Sequence, residues 1–435
     1  MIAAAQTAKS SGRIQLERWL ETGGFAGTAA RYGLSALGPI SVSGAHFFAS
    51  IVFLHELAPA DFGLFSFLLI VVPFCMSMTG ALLGASVTTS LARWSEVDGP
   101  ELVTHLKVAR VVGVLATFGV AALMLFNGAS LTASATLGLF AGLMSLRWFA
   151  RSFAYALRLP ARAALSDVAY SFLLTGGLTA FWFFHALNVE TASVVLAASA
   201  ALALLMFGLE HLRRQFVPGA AGALSAYKAI WLDLTRWSLL GVVLTEITAN
   251  AHAYLVTFIS GPRAFALLAV GSLVMRPVSL VLTALPDVER PRMAREIAAG
   301  KFTDAFKCVK EFRTAAGAIW LAAVCLAGVI LMWFPHILLK KGYDATEVAI
   351  AVGAWAVIMA VRTLRTPDAV LLQAAGEFKP LAGASKRSSI ISILATLVLL
   401  LIAGPLASLG GILAGELAMM GSTRSLARGW KQAHA

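Results

Sequence analysis

From about residue 32 onward the chain alternates long apolar runs with short polar connections. Each run is about 20 residues long, the length an α-helix needs to cross a hydrocarbon layer about 30 Å thick. The runs fall at about 32–54, 62–88, 108–127, 131–150, 163–187, 190–209, 237–259, 263–285, 314–338, 345–366, 388–406 and 408–424. They predict an all-α integral membrane protein with twelve transmembrane helices. Residues 1–30 differ: Ile14, Leu16, Trp19 and Leu20 alternate with Lys9, Arg13 and Arg18 as in a helix lying on a membrane surface. The first long run is retained, being too long for a signal peptide and followed at once by a second.

Composition agrees. Hydrophobic residues make 59% of the 435, charged residues 13%, and mean hydropathy is +0.82. This excludes a soluble enzyme, a disordered chain and a protein with a single anchor. A net charge of +12 would point to nucleic acid in a soluble protein, but here its placement reports topology instead. Thirty-one of the 34 Lys and Arg fall in alternate loops, and Arg263, Lys340 and Lys341 alone fall on the other face. The imbalance places both termini in the cytoplasm and leaves extracytoplasmic loops too short for a catalytic domain.

The midpoint carries a flexible stretch, Pro218-Gly219-Ala220-Ala221-Gly222. The expected organisation is a cytoplasmic amphipathic segment over 1–30, an N-lobe of spans 1–6 over 31–210, a cytoplasmic linker over 211–236, a C-lobe of spans 7–12 over 237–424 and a cytoplasmic tail over 425–435. The halves repeat. Ala45-His46 followed by Pro59-Ala60-Asp61-Phe62-Gly63-Leu64 recurs as Ala251-His252 followed by Pro262-Arg263-Ala264-Phe265-Ala266-Leu267, and Leu91-Ala92-Arg93 recurs as Met293-Ala294-Arg295. Because each half holds an even number of spans, the repeat is parallel, about an axis along the membrane normal.

Three stretches carry a family resemblance. They are Ser43-Gly44-Ala45-His46 through Pro59-Ala60-Asp61-Phe62-Gly63-Leu64-Phe65, Arg147-Trp148-Phe149-Ala150-Arg151 through Arg162-Ala163-Ala164-Leu165-Ser166-Asp167, and Leu371-Leu372-Gln373-Ala374-Ala375-Gly376-Glu377-Phe378-Lys379-Pro380. In these the chain resembles the polysaccharide or O-antigen (oligosaccharide-lipid) flippases of the multidrug/oligosaccharidyl-lipid/polysaccharide exporter superfamily. The resemblance implies two six-helix lobes around a central cavity that opens alternately to either side of a bacterial inner membrane. It also implies an undecaprenyl-diphosphate-linked oligosaccharide as cargo, with glycosyltransferases and a polysaccharide polymerase of the same pathway as partners. The chain lacks the two extra spans expected of lipid II flippases, which argues against a peptidoglycan role.

Charges at bilayer depth are costly, so the few present mark a cavity or a partner. Pro39, Ser43, His46 and Ser50 share one face of span 1, and Glu246 and Asn250 share one of span 7. His46 either faces a cavity or is satisfied by a neighbouring helix. Glu246 either binds a coupling cation or takes up a proton, or it pairs with Arg276 as a structural contact. Arg147 and Arg151 on span 4, and Arg362 and Arg365 on span 10, form basic pairs whose guanidinium forks suit a diphosphate. The alternative is that they hold topology and touch anionic lipid head groups. The candidate substrate-binding residues are therefore His46, Arg147, Arg151, Glu246, Asn250, Arg276, Arg362 and Arg365. Cys75, Cys308 and Cys325 form no disulfide framework or zinc pair, and there is no HExxH, GxSxG or Walker A pattern. No catalytic residue, metal or cofactor is expected. Two other functions compete: a cation-coupled small-molecule exporter of the multidrug type on the same fold, and a membrane polysaccharide polymerase or ligase.

Overall fold

A computed structural model describes residues 24–84, 86–87, 100–157, 159–216, 227–338 and 343–434. Most of the amphipathic N-terminal segment, the Pro218–Gly222 stretch, Arg93, Arg158, Lys340 and Lys341 lie outside the described residues. The described chain is helical throughout: α1 (Gly24–Glu56), α2 (Pro59–Thr79), α3 (Pro100–Phe126), α4 (Leu131–Ala156), α5 (Pro160–Phe183), α6 (Val189–Leu204), α7 (Leu209–Phe216), α8 (Tyr227–Ile230), α9 (Arg236–Ser260), α10 (Pro262–Val274), α11 (Arg276–Ala298), α12 (Phe302–Trp333), α13 (Ala345–Ala374), α14 (Phe378–Ala403) and α15 (Ser408–Ala433).

Among the described residues eight helices are long and apolar enough to cross a membrane, and nine if the bent pair α10 and α11 is one span. The long helices α4, α9 and α15 complete a set of twelve. The bend of 64° between α10 and the first part of α11 falls inside the run expected as one straight span over 263–285. Pro277, at the start of α11, supplies the reason: it has no N–H to donate and its ring disfavours helical geometry in the residue before it.

Local signals set the helix ends. Ser130 Oγ accepts from the Ala133 amide, Asp344 Oδ1 accepts from the Glu347 amide, and Asn188 and Thr191 cap one another reciprocally at the start of α6. Gly261 and Gly404, with φ of 83° and 85°, turn the chain after α9 and α14 in a conformation closed to most side chains. Large apolar side chains such as Phe118 and Ile402, 70% and 79% exposed, cover the helix exteriors as lipid-facing residues do.

The helices form two compact units. The first holds the described chain to Ala49, Cys75–Leu123 and Ser130–Leu240. Its core joins Leu83, Leu102, Leu106, Phe149 and Phe153 to Tyr227, whose hydroxyl donates to the Leu82 carbonyl in the widened turn Gly80–Gly84 that ends α2. At its margin α7 seats the buried His211 against the rings of Phe153 and Phe207. The second unit holds Ser50–Phe74, Met124–Ala129 and Gly241–Ala435. Here the two copies of the repeated motif meet. A Cβ at Gly63 would strike the Pro262 carbonyl, and Phe67 lies edge-on to Phe265, so the first copy needs glycine where the second carries Ala266. Helices α14 and α15 also approach closely, with Gly411 and Gly415 set directly against Thr396 and Ser392. Small residues four apart let the two backbones come together, as is usual where no hydrophobic drive separates protein from lipid.

Candidate functional site

The two basic pairs singled out by the sequence have different surroundings. In the first unit Arg147 is 4% exposed and its guanidinium is fully engaged. Its Nη2 pairs with Asp167, Nε donates to Ser166 Oγ at 2.9 Å, Nη1 contacts Met144 Sδ at 3.4 Å, and its face lies 4.7 Å from the Tyr170 ring centroid. Ser166 passes the chain on to the Ala203 carbonyl at 2.9 Å. Arg151, one turn along, lies 3.3 Å from the other oxygen of Asp167 and over the rings of Trp148 and Tyr155. One carboxylate from α5 thus serves both α4 arginines. A Cβ at Gly38 of α1 would collide with that carboxylate, so glycine is what lets the ion cluster close. Tyr170 Oη is 2.8 Å from His46 Nε2, which satisfies the span 1 histidine on a neighbouring helix. A cavity of about 230 Å³ remains beside Pro39, Ser43, Arg147, Arg151 and Asp167.

The second unit contains a much larger space, about 1020 Å³, walled by α9, α11, α13, α14 and α15. Arg362 and Arg365 line it, and both donate their Nε hydrogens to Glu416 of α15, at 2.7 Å to Oε1 and 2.5 Å to Oε2. Lys386 of α14 lines the same wall, and no ion pair of the described residues includes it. Three cations against one carboxylate leave two net positive charges on this lining. Opposite in character is a hydroxyl stripe on α14, Ser385, Ser388, Ser389 and Ser392, spaced i, i+3, i+4 and i+7. Ser279, Thr283 and Thr366 add further hydroxyls, Asn250 and the buried His252 add other polar groups, and the rest of the lining is mainly apolar, with Leu282, Met359, Ile390, Ile393, Ile412 and Met419.

Of the sequence candidates, Asn250, Arg362 and Arg365 share this cavity, while Arg147 and Arg151 border the small one. Glu246 is bound by its neighbour one turn on, Asn250 Nδ2 donating to Oε2 at 3.2 Å, as their common face predicts. Arg276 donates to Ser50 Oγ at 3.2 Å, and the pairing with Glu246 is not among the ion pairs of the described residues. The sequence reading missed the α14 stripe and used Lys386 only as a topology signal, although the helical spacing of the four serines was visible. Among the described residues no three His, Cys, Asp or Glu side chains gather as a metal site would require.

No protein-family model and no curated protein matches the chain. Solved structures do. An inward-facing conformation of a multidrug resistance MATE family transporter of the MOP superfamily superposes with a TM-score of 0.67 at 14% identity, covering 92% of this chain and 98% of that one. An inward closed conformation of the lipid II flippase MurJ gives 0.65 at 11% identity, covering 92% and 87%. An outward-facing MATE transporter of the same superfamily gives 0.56 at 14% identity, covering 93% and 95%. These likenesses establish the architecture: the chain has the all-helical fold of these transporters, twelve helices in two lobes.

Proposed function

We propose that the protein flips an undecaprenyl-diphosphate-linked oligosaccharide across the bacterial inner membrane by alternating access, with both termini in the cytoplasm. The observation that carries this is the second-unit cavity, where Arg362, Arg365 and Lys386 meet one carboxylate and stand beside a wall of hydroxyls. A cleft lined by excess positive charge concentrates anions, and guanidinium groups hold phosphate oxygens by paired N–H bonds. Serine and threonine hydroxyls both donate and accept, which suits sugar hydroxyls. In this reading Arg362 and Arg365 take the diphosphate, while Arg147, Arg151 and His46 serve the internal cluster around Asp167. The protein performs transport without catalysis: glycosyltransferases build the cargo on the cytoplasmic side and a polymerase consumes it on the other.

The fold is shared with a MATE transporter, so a cation-coupled exporter of small molecules is the second reading. The net positive lining argues against cationic drugs, which it would repel. The test is reconstitution into liposomes with a fluorescent polyprenyl-diphosphate disaccharide and, separately, a cationic dye. Protein-dependent movement of the lipid-linked sugar, lost in Arg362→Ala with Arg365→Ala, supports the flippase. Gradient-driven dye efflux with no movement of the sugar lipid supports the exporter and rejects our reading.

A further inference from the structure

Glu416 uses only one edge of each arginine. Arg362 and Arg365 both reach it through Nε, and among the described residues their Nη groups have no hydrogen-bond partner. Both side chains remain partly open, 27% and 22% exposed, whereas the carboxylate between them is 11% exposed. On a helix these arginines, three residues apart, would otherwise turn their like charges away from each other. A carboxylate placed between them removes that repulsion and fixes both planes at once.

We propose that Glu416 is a positioning residue which holds Arg362 and Arg365 as a two-pronged clamp for an anion carrying two adjacent phosphoryl groups, one for each free guanidinium end. Lys386, from the facing helix, adds charge to the same cavity without a fixed direction, as befits a flexible ammonium. The proposal rests on the cargo reading above and extends it to selectivity: the clamp distinguishes a diphosphate from a single phosphate by geometry, not by charge alone.

Charge and geometry make opposite forecasts for Glu416→Gln. Removing the carboxylate raises the net positive charge of the lining, so attraction alone would strengthen binding of every anion. Loss of positioning instead releases the two guanidinium planes and weakens the diphosphate preferentially. The experiment uses the full chain in phosphatidylcholine nanodiscs and measures binding of inorganic diphosphate and inorganic phosphate by calorimetry. The expected result is a diphosphate preference in the parent that falls by about tenfold in Glu416→Gln, the scale of one charged hydrogen bond. Glu416→Asp keeps the charge on a shorter arm and should fall between them. It also serves if the Gln variant does not fold. Arg365→Lys, which keeps charge but loses the Nε contact, should lose the preference as Glu416→Gln does. An unchanged preference in both Glu416 variants, or tighter diphosphate binding in Glu416→Gln, overturns the proposal.

Lipid competition separates this inference from the cargo reading. Undecaprenyl diphosphate should displace inorganic diphosphate, and phosphatidylglycerol should not. If the preference depends on Glu416 but undecaprenyl diphosphate fails to compete, the clamp stands and the flippase reading falls. If phosphatidylglycerol competes equally well, the site takes phospholipid head groups and the proposed selectivity is wrong.

Discussion

Replacing Asp167 by asparagine isolates what the first-unit cluster contributes to folding. The side chains of Arg147 and Asp167 are each 5% exposed and that of Arg151 is 15% exposed, so the carboxylate neutralises charge that water cannot reach. The amide would retain the shape but leave Arg147 with Ser166, Met144 and the Tyr170 ring, none of them charged. Removing one partner of a buried ion pair costs about 3–5 kcal/mol. That is on the order of two to four decades in the ratio of folded to unfolded protein. The assay is fluorescence-detected size exclusion of detergent-solubilised protein after graded heating, with expression matched at low temperature. Asp167→Asn should lose its monodisperse peak well below the parent, and Gly38→Ala, which crowds the carboxylate, should shift the same way by less. The triple variant Arg147→Met, Arg151→Met and Asp167→Leu should recover much of the loss, because it removes the whole ion cluster instead of leaving either arginine without its carboxylate. Parental stability in Asp167→Asn, or a triple variant weaker than the single one, would refute the account of this cluster.

Gly411→Val and Gly415→Val should each abolish properly folded protein, since a side chain at either position collides with Thr396 or Ser392 and overpacking costs about 1–3 kcal/mol or more; monodispersity in detergent is the measurement. Burial of His211, reinforced by Arg162 and Arg214, pushes its imidazole down from 6.5 to about 4. The unfolded chain binds a proton near pH 6.5 that the folded chain refuses until about 4, so stability should fall as pH drops through that window, and thermal melts should show a flatter profile in His211→Phe. In a cysteine-free background Ser389→Cys should react with a membrane-impermeant thiol reagent and Leu401→Cys, on the 65% exposed apolar exterior, should not. Reporter fusions should place both termini on the cytoplasmic side, as the distribution of Lys and Arg predicts.

The spans were legible because their length is imposed by the bilayer and each is encoded locally. The repeat was visible too, but the contact between its copies at Gly63 and Pro262 was not, because a repeat fixes likeness and not proximity. The bend at Met275 was not foreseen, although the Arg276-Pro277 dipeptide marks where a helix is disfavoured. The site was legible in part. Helical spacing grouped Arg362 with Arg365 and Glu246 with Asn250, because those neighbours lie within one turn. It did not reveal that Asp167 and Glu416 each bind a basic pair, since such partners are chosen by tertiary packing across 20 and 54 residues of chain. The polar stripe of α14 was overlooked for another reason: hydroxyls in membrane helices commonly bond their own backbone, as Ser389 does to the Ser385 carbonyl.

Those two intervals have a consequence for synthesis. Arg147 is synthesised only 20 residues ahead of Asp167, so α4 and α5 bring a charge and its neutraliser almost together. Arg362 and Arg365 wait for a residue 54 and 51 positions later, on the last helix. At elongation rates of about 5–20 residues per second, the nascent second unit carries that exposed pair for roughly 3–10 seconds. During this interval α13 depends on lipid head groups, water or insertion machinery to shelter two guanidinium groups. Chains that stall or terminate before Glu416 therefore keep two adjacent guanidinium groups on α13 without the carboxylate that joins them in the finished protein.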